Sequence, residues 1–272
     1  MEEIREALER AKAGDPATVE RDLRSRRRID SRPGRLPATP DARIQEFELN
    51  ADHLKSERII AHDHTEPQTT FFDMLRTQVV HAMDLKEWKV LGVTSPTPGC
   101  GKTTTAINLA LSVARQPERS VLLADLDLRK PHVANYLGLK ANEGVISVID
   151  GRTTLANAII PVRIGEHHLS VLATESPTSR SSDRMASSAM TDMLALIKRD
   201  YQSHIVILDL PPVLPSDDVL AILPLLDCVL LVAAIGTSSV AQIKESNKHL
   251  QASEIVRLVL NKTTTAHPEY YS

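Results

Sequence analysis

A short segment that combines glycine, lysine and threonine is the part of the sequence best suited to chemistry. Residues 94–104 read Thr-Ser-Pro-Thr-Pro-Gly-Cys-Gly-Lys-Thr-Thr and lie between an apolar strand candidate and a helix candidate. Gly99 and Gly101 would let backbone amides turn toward a phosphate, because a side chain there would block its close approach. Lys102 would lie across the β- and γ-phosphates, and the Thr103 hydroxyl would ligate Mg²⁺. The segment therefore predicts a phosphate-binding loop for a nucleoside triphosphate.

One departure from the usual pattern of such loops is Pro96, which stands where the first glycine is expected. A turn that contains Gly-Lys-Thr by chance is the alternative interpretation, but the strand before it and the helix after it argue against that. We interpret Cys100 as a small spacer side chain, with a redox role as the alternative. The residues predicted to contact the nucleotide through this loop are Gly99, Cys100, Gly101, Lys102, Thr103 and Thr104.

Two further apolar strand candidates end in aspartate. Residues 121–124 run into Asp125 and Asp127, and residues 205–208 run into Asp209. Carboxylates at the carboxyl ends of parallel strands point at the ligand crevice, where Mg²⁺ needs oxygen ligands. A single aspartate at a strand end more often caps a turn. Because three of them follow two strands beside a phosphate loop, we predict metal binding and catalysis of phosphoryl transfer.

Strands and helices alternate along most of the chain, which predicts an α/β fold with a mostly parallel central sheet covered by helices on both faces. The predicted strands are Lys89–Val93, Ser120–Ala124, Leu169–Leu172, Ile205–Leu208, Cys228–Ala233 and Val256–Leu260. The predicted helices are Thr70–Met83, Thr103–Arg115, Ala189–Arg199, Asp218–Leu223 and Ser238–Gln251. In the first of these helices, the side predicted to be buried carries Phe71, Phe72, Leu75, Val79 and Val80.

Composition limits the classes of protein that the chain can belong to. Aromatic residues make up only 3% of the 272 residues, so aliphatic side chains must fill the core. The net charge of -3 gives no reason to expect a nucleic-acid partner. Cys100 and Cys228 cannot form a disulfide framework, and a reducing compartment fits them best.

The N-terminal part differs in character from the rest. Residues 2–13 predict a short amphipathic helix, and the arginine-rich stretch that follows, with its run at 24–28, predicts a flexible linker. We divide the chain into this N-terminal part, 1–66, and a nucleotide-binding domain, 67–272. Pro224 and Asp227 interrupt the most apolar stretch, so it predicts a helix end and a buried strand. No secretory signal is visible, and we expect a cytoplasmic protein that reaches a membrane only through a partner.

These motifs resemble the cytoplasmic kinase domain of the bacterial tyrosine kinases, the family of capsule and exopolysaccharide synthesis. The similarity spans roughly residues 69–272, about the size of one domain. Its most specific marks are residues 125–131, Asp-Leu-Asp-Leu-Arg-Lys-Pro, and residues 209–212, Asp-Leu-Pro-Pro. A weaker mark is residues 258–262, in which the resemblance places Asn261 near the base of the nucleotide.

The resemblance implies an ATP-dependent protein-tyrosine autokinase that regulates polysaccharide polymerisation and export. It implies that Lys102 and Thr103 bind phosphate and metal, that Asp125 assists the tyrosine hydroxyl, and that Asp127 and Asp209 join Thr103 in holding Mg²⁺. The family's tyrosine-rich tail matches Tyr270 and Tyr271, the predicted autophosphorylation sites. A tail with two ordinary surface tyrosines is the alternative.

The resemblance also implies partners. Relatives without a membrane-spanning half depend on a transmembrane partner of the polysaccharide export system, so a peripheral position at the inner face of the membrane is implied. Ring-forming members carry a Glu and two Arg at three-residue spacing, where this chain has Thr70, Asp73 and Arg76. Only the arginine remains, which weakens the case for a closed ring within a possible homo-oligomer. We hypothesise that residues 1–40 form a docking arm for the activator.

Two other classes compete with the kinase. Partitioning ATPases share the fold and use hydrolysis to drive a dimer switch, but they usually carry an extra lysine near the start of the loop. The equivalent residue here is Thr97. Some of them end in a membrane-binding helix, whereas this chain ends in Pro-Glu-Tyr-Tyr-Ser. An adaptor that binds ATP only to change shape is the third class.

Overall fold

The structure, a computed structural model, describes residues 46–201, 204–251 and 253–263. The helix predicted over residues 2–13, the arginine run 24–28 and the two tyrosines at 270 and 271 lie outside these ranges. The predictions made for them therefore stay predictions.

An eight-stranded sheet forms the centre of the described part of the chain, in the order β1-β4-β5-β3-β6-β2-β7-β8. The strands are β1 Phe47–Glu48, β2 Val90–Thr94, β3 Ser120–Asp125, β4 Ile160–Ile164, β5 His167–Leu172, β6 His204–Asp209, β7 Cys228–Ala234 and β8 Glu254–Asn261. All neighbouring strands are parallel except β4 and β5, which form an antiparallel pair. This confirms the predicted mostly parallel sheet.

Helices cover both faces of the sheet. They are α1 Ala51–Ser56, α2 Thr69–Leu85, α3 Lys102–Ala114, α4 Val133–Tyr136, α5 Val145–Ile149, α6 Leu155–Ala158, α7 Ser181–Met185, α8 Ser188–Asp200, α9 Asp218–Ile222 with a 3-10 turn at Leu223–Leu225, and α10 Val240–His249. Leu123 belongs to the hydrophobic core on the side of α2 and α3, whereas Leu122 belongs to the core on the side of α8 and α9. Burial on both faces explains why these strands are almost continuously apolar.

The predicted strand and helix positions agree with the structure for every long element, with ends that differ by a few residues. The most apolar stretch forms α9, the 3-10 turn and β7 as predicted. Across the described ranges, no helix is both long and apolar enough to span a membrane. The sequence analysis did not predict β4, because Pro161 and Arg163 interrupt the apolar residues of this antiparallel strand.

The buried side of α2 needs one correction. Val79 and Val80 are buried and Phe72 and Leu75 pack against the core, as predicted, but Phe71 is 49% exposed. Successive helix positions are roughly 100° apart, so a residue next to Phe72 turns away from the stripe that faces the sheet. The prediction extended that stripe by one residue too many.

A larger correction concerns residues 46–66, which we call the strap. The sequence placed them in a flexible linker, but they pack against the domain. Phe47 pairs with Val162 of β4, and Leu54 and Ile59 are completely buried. A two-residue strand, a short helix and a loop follow each other here, so the apolar residues have no regular period that would indicate burial. The predicted domain boundary at 66/67 stays a prediction.

Candidate active site

The loop between β2 and α3 has the backbone geometry of a phosphate cradle. Gly99 and Gly101 both have positive φ, 81° and 87°, which side chains rarely tolerate. A Cβ on Gly101 would lie 2.3 Å from Nδ2 of Asn261, at the end of β8. That Nδ2 donates a hydrogen bond of 2.9 Å to the carbonyl of Cys100. The predicted loop and the predicted Asn261 are therefore in direct contact, and a side chain at position 101 would displace the Asn261 amide.

The neighbours of the loop lysine are acidic. Lys102 Nζ lies 2.9 Å from Oδ2 of Asp127 and 3.3 Å from Oδ1 of Asp209. The Thr103 hydroxyl donates a 2.6 Å hydrogen bond to Oδ2 of Asp209. All four residues are buried. The structure thus brings together four of the predicted site residues, which come from three separate segments of the chain.

Burial and neighbouring charges act against each other in this cluster. Burial alone would lower the pKa of Lys102, but the carboxylates of Asp209 and Asp127 outweigh it and raise the pKa to about 12. Burial raises the pKa of Asp209, and the Lys102 ammonium and the Thr103 hydroxyl oppose that rise. One ammonium therefore lies beside two carboxyl groups, and a bound divalent cation would favour the ionised form of Asp209.

Asp125 lies beside this cluster but is turned toward the backbone. Its Oδ1 accepts a hydrogen bond from the amide of Asp127 at 3.1 Å, and its Oδ2 accepts from the amides of His132 and Val133 at 3.0 Å each. It is completely buried. Burial, together with the charge of Asp209, raises its pKa to about 8. Asp125 thus shapes the loop that carries Asp127, and its predicted role toward a tyrosine hydroxyl stays a prediction.

The remaining loop residues have structural partners. The Cys100 thiol is buried, donates to the carbonyl of Thr97 at 3.2 Å and lies 3.2 Å from the hydroxyl of Ser238. This is consistent with a small spacer. Thr104 lies in the first turn of α3, where its carbonyl accepts a 2.9 Å hydrogen bond from Asn108 Nδ2.

Sequence reasoning missed an ion pair that joins two of the loops at the site. Arg129 Nε donates to Oδ2 of the buried Asp218 at 2.9 Å, and Ser182 donates to Oδ1 of Asp218 at 2.5 Å. The arginine stands in the loop after β3, whereas Asp218 begins α9 after β6. No spacing rule links residues that are 89 positions apart, so the sequence held no signal for this pair.

The oxygen atoms present suit Mg²⁺ bound together with a nucleotide. Within the described ranges, no group of three or more His, Cys, Asp or Glu side chains forms a self-contained metal site. Mg²⁺ bound with nucleotides usually takes one or two carboxylates and completes its shell with phosphate oxygens and water. Asp127, Asp209 and the Thr103 hydroxyl supply such oxygens next to the phosphate cradle, so the predicted ligand set fits.

The raised pKa of Asp125 leads to a prediction about stability. Its carboxyl keeps a proton up to about pH 8 when folded but ionises near 3.8 when unfolded, so wild-type stability falls as the pH rises between these values. Asp125→Asn cannot titrate. We therefore expect the unfolding free energy of the variant, relative to that of wild type, to increase as the pH rises from about 5 to 8. The increase is at most about 1.4 kcal/mol per pH unit. Urea unfolding of both nucleotide-free proteins measures it, and a pH-independent difference would contradict it.

The fold and this site define a nucleotide-binding P-loop protein of the α/β class. Comparison with known proteins agrees: residues 91–271 match the family described as the CobQ/CobB/MinD/ParA nucleotide binding domain. The chain is 30% identical over 212 residues to the tyrosine-protein kinase YwqD of Bacillus subtilis, covering 76% of this chain and 87% of that protein. It belongs to this nucleotide-binding family and, within it, to the bacterial tyrosine kinases.

Two other relatives show how the similarity is distributed. The putative tyrosine-protein kinase EpsB of Ralstonia solanacearum is 28% identical over 190 residues, which cover 70% of this chain but only 25% of EpsB. The chain therefore spans about a quarter of the length of that relative. Among solved structures, the kinase domain of the Escherichia coli tyrosine kinase ETK is similar with a TM-score of 0.61 and 27% identity, over 72% of this chain and 78% of that domain.

Proposed function

We propose that this protein is an ATP-dependent protein-tyrosine autokinase that phosphorylates Tyr270 and Tyr271 and regulates exopolysaccharide or capsule synthesis. The observation that carries the proposal is the buried cluster in which Lys102 faces Asp127 and Asp209 beside the phosphate cradle. The similarity to proteins named tyrosine-protein kinases supports the kinase over other users of this fold.

Each residue of the cluster has a task in phosphoryl transfer. Lys102 would leave its carboxylate partners to lie along the β- and γ-phosphates of ATP. Thr103, Asp127 and Asp209 would then hold Mg²⁺, which neutralises charge on the transferred phosphoryl group. Bound Mg²⁺ would favour the ionised form of Asp125, whose carboxylate would then accept the proton of the attacking tyrosine hydroxyl. Asn261 would contact the base. In the nucleotide-free protein, Lys102 pairs with both Asp127 and Asp209 and so offsets part of the cost of burying them.

We further propose that the protein acts in the cytoplasm, at the inner face of the membrane, through a transmembrane polysaccharide co-polymerase that serves as activator. The resemblance supports this partner. That residues 1–40 form the docking arm is a separate hypothesis, based on the predicted N-terminal helix and linker. Deleting 1–40 should weaken association with the co-polymerase in a pull-down from membranes. Unchanged association and unchanged tail phosphorylation would contradict the docking arm.

A homo-oligomer, where one forms, is proposed to use a surface other than the family's ring motif. Asp73 accepts hydrogen bonds from Ser112 Oγ at 2.6 Å and from Arg115 Nη2 at 3.0 Å. Arg76 Nη1 donates to Asp73 at 3.2 Å and to the carbonyl of Ser112 at 3.1 Å. Asp73 and Arg76, two of the three residues at the ring-motif positions, are therefore engaged within the chain.

The test of the proposed function is phosphotyrosine mapping by mass spectrometry after incubation with ATP and Mg²⁺. It would be run on purified wild type and repeated in cells that contain the native polysaccharide system, because an activator can be missing from the purified sample. We expect phosphate on Tyr270 or Tyr271 in wild type. We expect none in Lys102→Met, and loss of the tail phosphopeptide in a Tyr270→Phe/Tyr271→Phe variant that still binds nucleotide.

The rival function gives a different result in the same experiment. A partitioning-type switch ATPase would turn over ATP and produce no phosphotyrosine in either setting. That outcome would overturn the kinase proposal and leave the two tyrosines as ordinary residues of the tail.

A further inference from the structure

The strap does more than cover an apolar surface, because its backbone is hydrogen-bonded to the helix that follows the phosphate loop. Four of its side chains are buried in the core: Leu49, Leu54, Ile59 and Ala61. At its N-terminal end, the amide of Leu49 donates to the carbonyl of Arg163 at 2.8 Å, beside the β1–β4 pairing. The strap is thus held at the sheet edge by β4 and at its other end by α3.

Asn108, in the middle of α3, makes the contact with the strap. Its Oδ1 accepts hydrogen bonds from the amides of Ile60 at 2.8 Å and Ala61 at 2.9 Å. Its Nδ2 donates to the carbonyl of Arg58 at 3.0 Å and to the carbonyl of Thr104 at 2.9 Å. Asn108 is completely buried, and every donor and acceptor of its amide group has a partner.

This set of bonds leads directly into the candidate site. Thr104 follows Lys102 and Thr103 in the first turn of α3, so the Asn108 amide connects the strap to the turn that carries both residues. The strap also touches the other half of the site, since His53 Nε2 lies 3.0 Å from the carbonyl of Asn135 in α4. α4 begins at Val133, whose amide binds Asp125.

We propose that Asn108 is a positioning residue, through which the strap fixes the first turn of α3 and so holds Lys102 and Thr103 ready for a Mg²⁺-bound nucleotide. Preorganised phosphate-binding groups do not have to be ordered when the ligand arrives, and this saves binding free energy. The proposal rests on nucleotide binding at the site and not on tyrosine phosphorylation. The competing view is that Asn108 only satisfies two strap amides and does not affect the site.

The experiment compares Asn108→Ala with Asn50→Ala. Asn50 is a matched control, because its side chain also binds a strap amide, that of His53 at 2.9 Å, but it caps α1 and does not touch α3. Affinity for ADP with Mg²⁺ would be measured by calorimetry, and amide hydrogen exchange at residues 101–106 in the nucleotide-free protein. We expect Asn108→Ala to weaken binding about tenfold and to speed this exchange, and Asn50→Ala to leave both within about twofold.

Asn108→Ser separates the hydrogen bonds of Asn108 to the strap from its hydrogen bond to the Thr104 carbonyl. It also provides a second variant if the alanine variant does not fold. A serine hydroxyl can bind the carbonyl four residues earlier in a helix, here that of Thr104, but it is too short to reach the strap amides. We expect it to lose affinity and protection as Asn108→Ala does. Wild-type exchange at residues 101–106 in Asn108→Ser, or equal behaviour of Asn108→Ala and Asn50→Ala, would overturn the proposal. The exchange measurement tests the role of Asn108 even if wild type fails to bind ADP, a result that would count against the proposed function instead.

Discussion

Lys102→Met is expected to reduce phosphorylation of Tyr270 and Tyr271 by about a thousandfold or more and to destabilise the fold as well. The variant loses the charge that would bind the β- and γ-phosphates in the transition state. It also leaves Asp127 and Asp209 buried without the ammonium that lies 2.9 and 3.3 Å from them. Removing one partner from a buried ion pair typically costs about 3–5 kcal/mol.

The destabilisation should depend on pH in a defined direction. Burial raises the pKa of Asp209, and Lys102→Met removes the ammonium that opposes this rise. The Asp209 carboxyl is therefore protonated more readily as the pH falls, so the cost of the missing ammonium should be larger at neutral pH than near pH 4. Urea unfolding at both pH values measures this destabilisation, on the same preparations as the phosphotyrosine assay.

Lys198→Met is a suitable control, because Lys198 pairs with Asp227 at 2.8 Å and is 39% exposed. That variant should lose about 1 kcal/mol or less and keep its phosphorylation. If Lys102→Met kept more than about a tenth of wild-type phosphorylation, the assignment of Lys102 would be wrong.

Asp125→Asn is expected to separate catalysis from nucleotide binding. Loss of a general base typically costs about 10²–10⁴ in rate, so tail phosphorylation should fall by roughly a thousandfold. Affinity for ADP with Mg²⁺ should stay within about threefold, because Asp125 does not contact Lys102 or Thr103 by hydrogen bond and the metal ligands are left in place. Calorimetry and phosphotyrosine mapping on the same preparations measure the two effects.

Asp127→Asn gives the comparison for that experiment, since it removes a proposed metal ligand and should lower both affinity and phosphorylation. If Asp125→Asn lost affinity to the same degree, the three backbone hydrogen bonds of its carboxylate would explain the effect. Asp125 would then be a residue that shapes the loop around Asp127, and the proton acceptor would have to be sought elsewhere.

Much of the site was predictable because its residues belong to short motifs that can be recognised in the sequence. Each aspartate follows an apolar strand, and the carboxyl ends of parallel strands must meet at one edge of the sheet. The structure places Lys102, Asp127 and Asp209 within hydrogen-bonding distance there. The orientation of Asp125 was not predictable, because it depends on the amides of residues 132 and 133, whose path no local pattern specifies.

The features that the sequence missed all depend on contacts between distant residues. In the sequence, Asn108 is a single polar residue inside a predicted helix. The structure explains its burial, because its side chain accepts hydrogen bonds from two amides of the strap. Arg129 and Asp218 meet only because the loops after β3 and β6 lie side by side in the sheet order. Hydrophobic periodicity reports which side of a regular element is buried, so it carries no information about an irregular segment such as the strap.

The packing of the strap has a consequence for recombinant production of the domain. Burial of Leu49, Leu54 and Ile59 together contributes roughly 5–9 kcal/mol, at about 1.5–3 kcal/mol for each side chain. That approaches the whole stability of a typical domain, about 5–15 kcal/mol. A fragment that begins at residue 67 would also leave the edge of β4 unpaired and expose core residues that the strap covers, both of which favour aggregation. Shortened forms intended for crystallisation or inhibitor screening should therefore start before residue 46, where the strap remains intact.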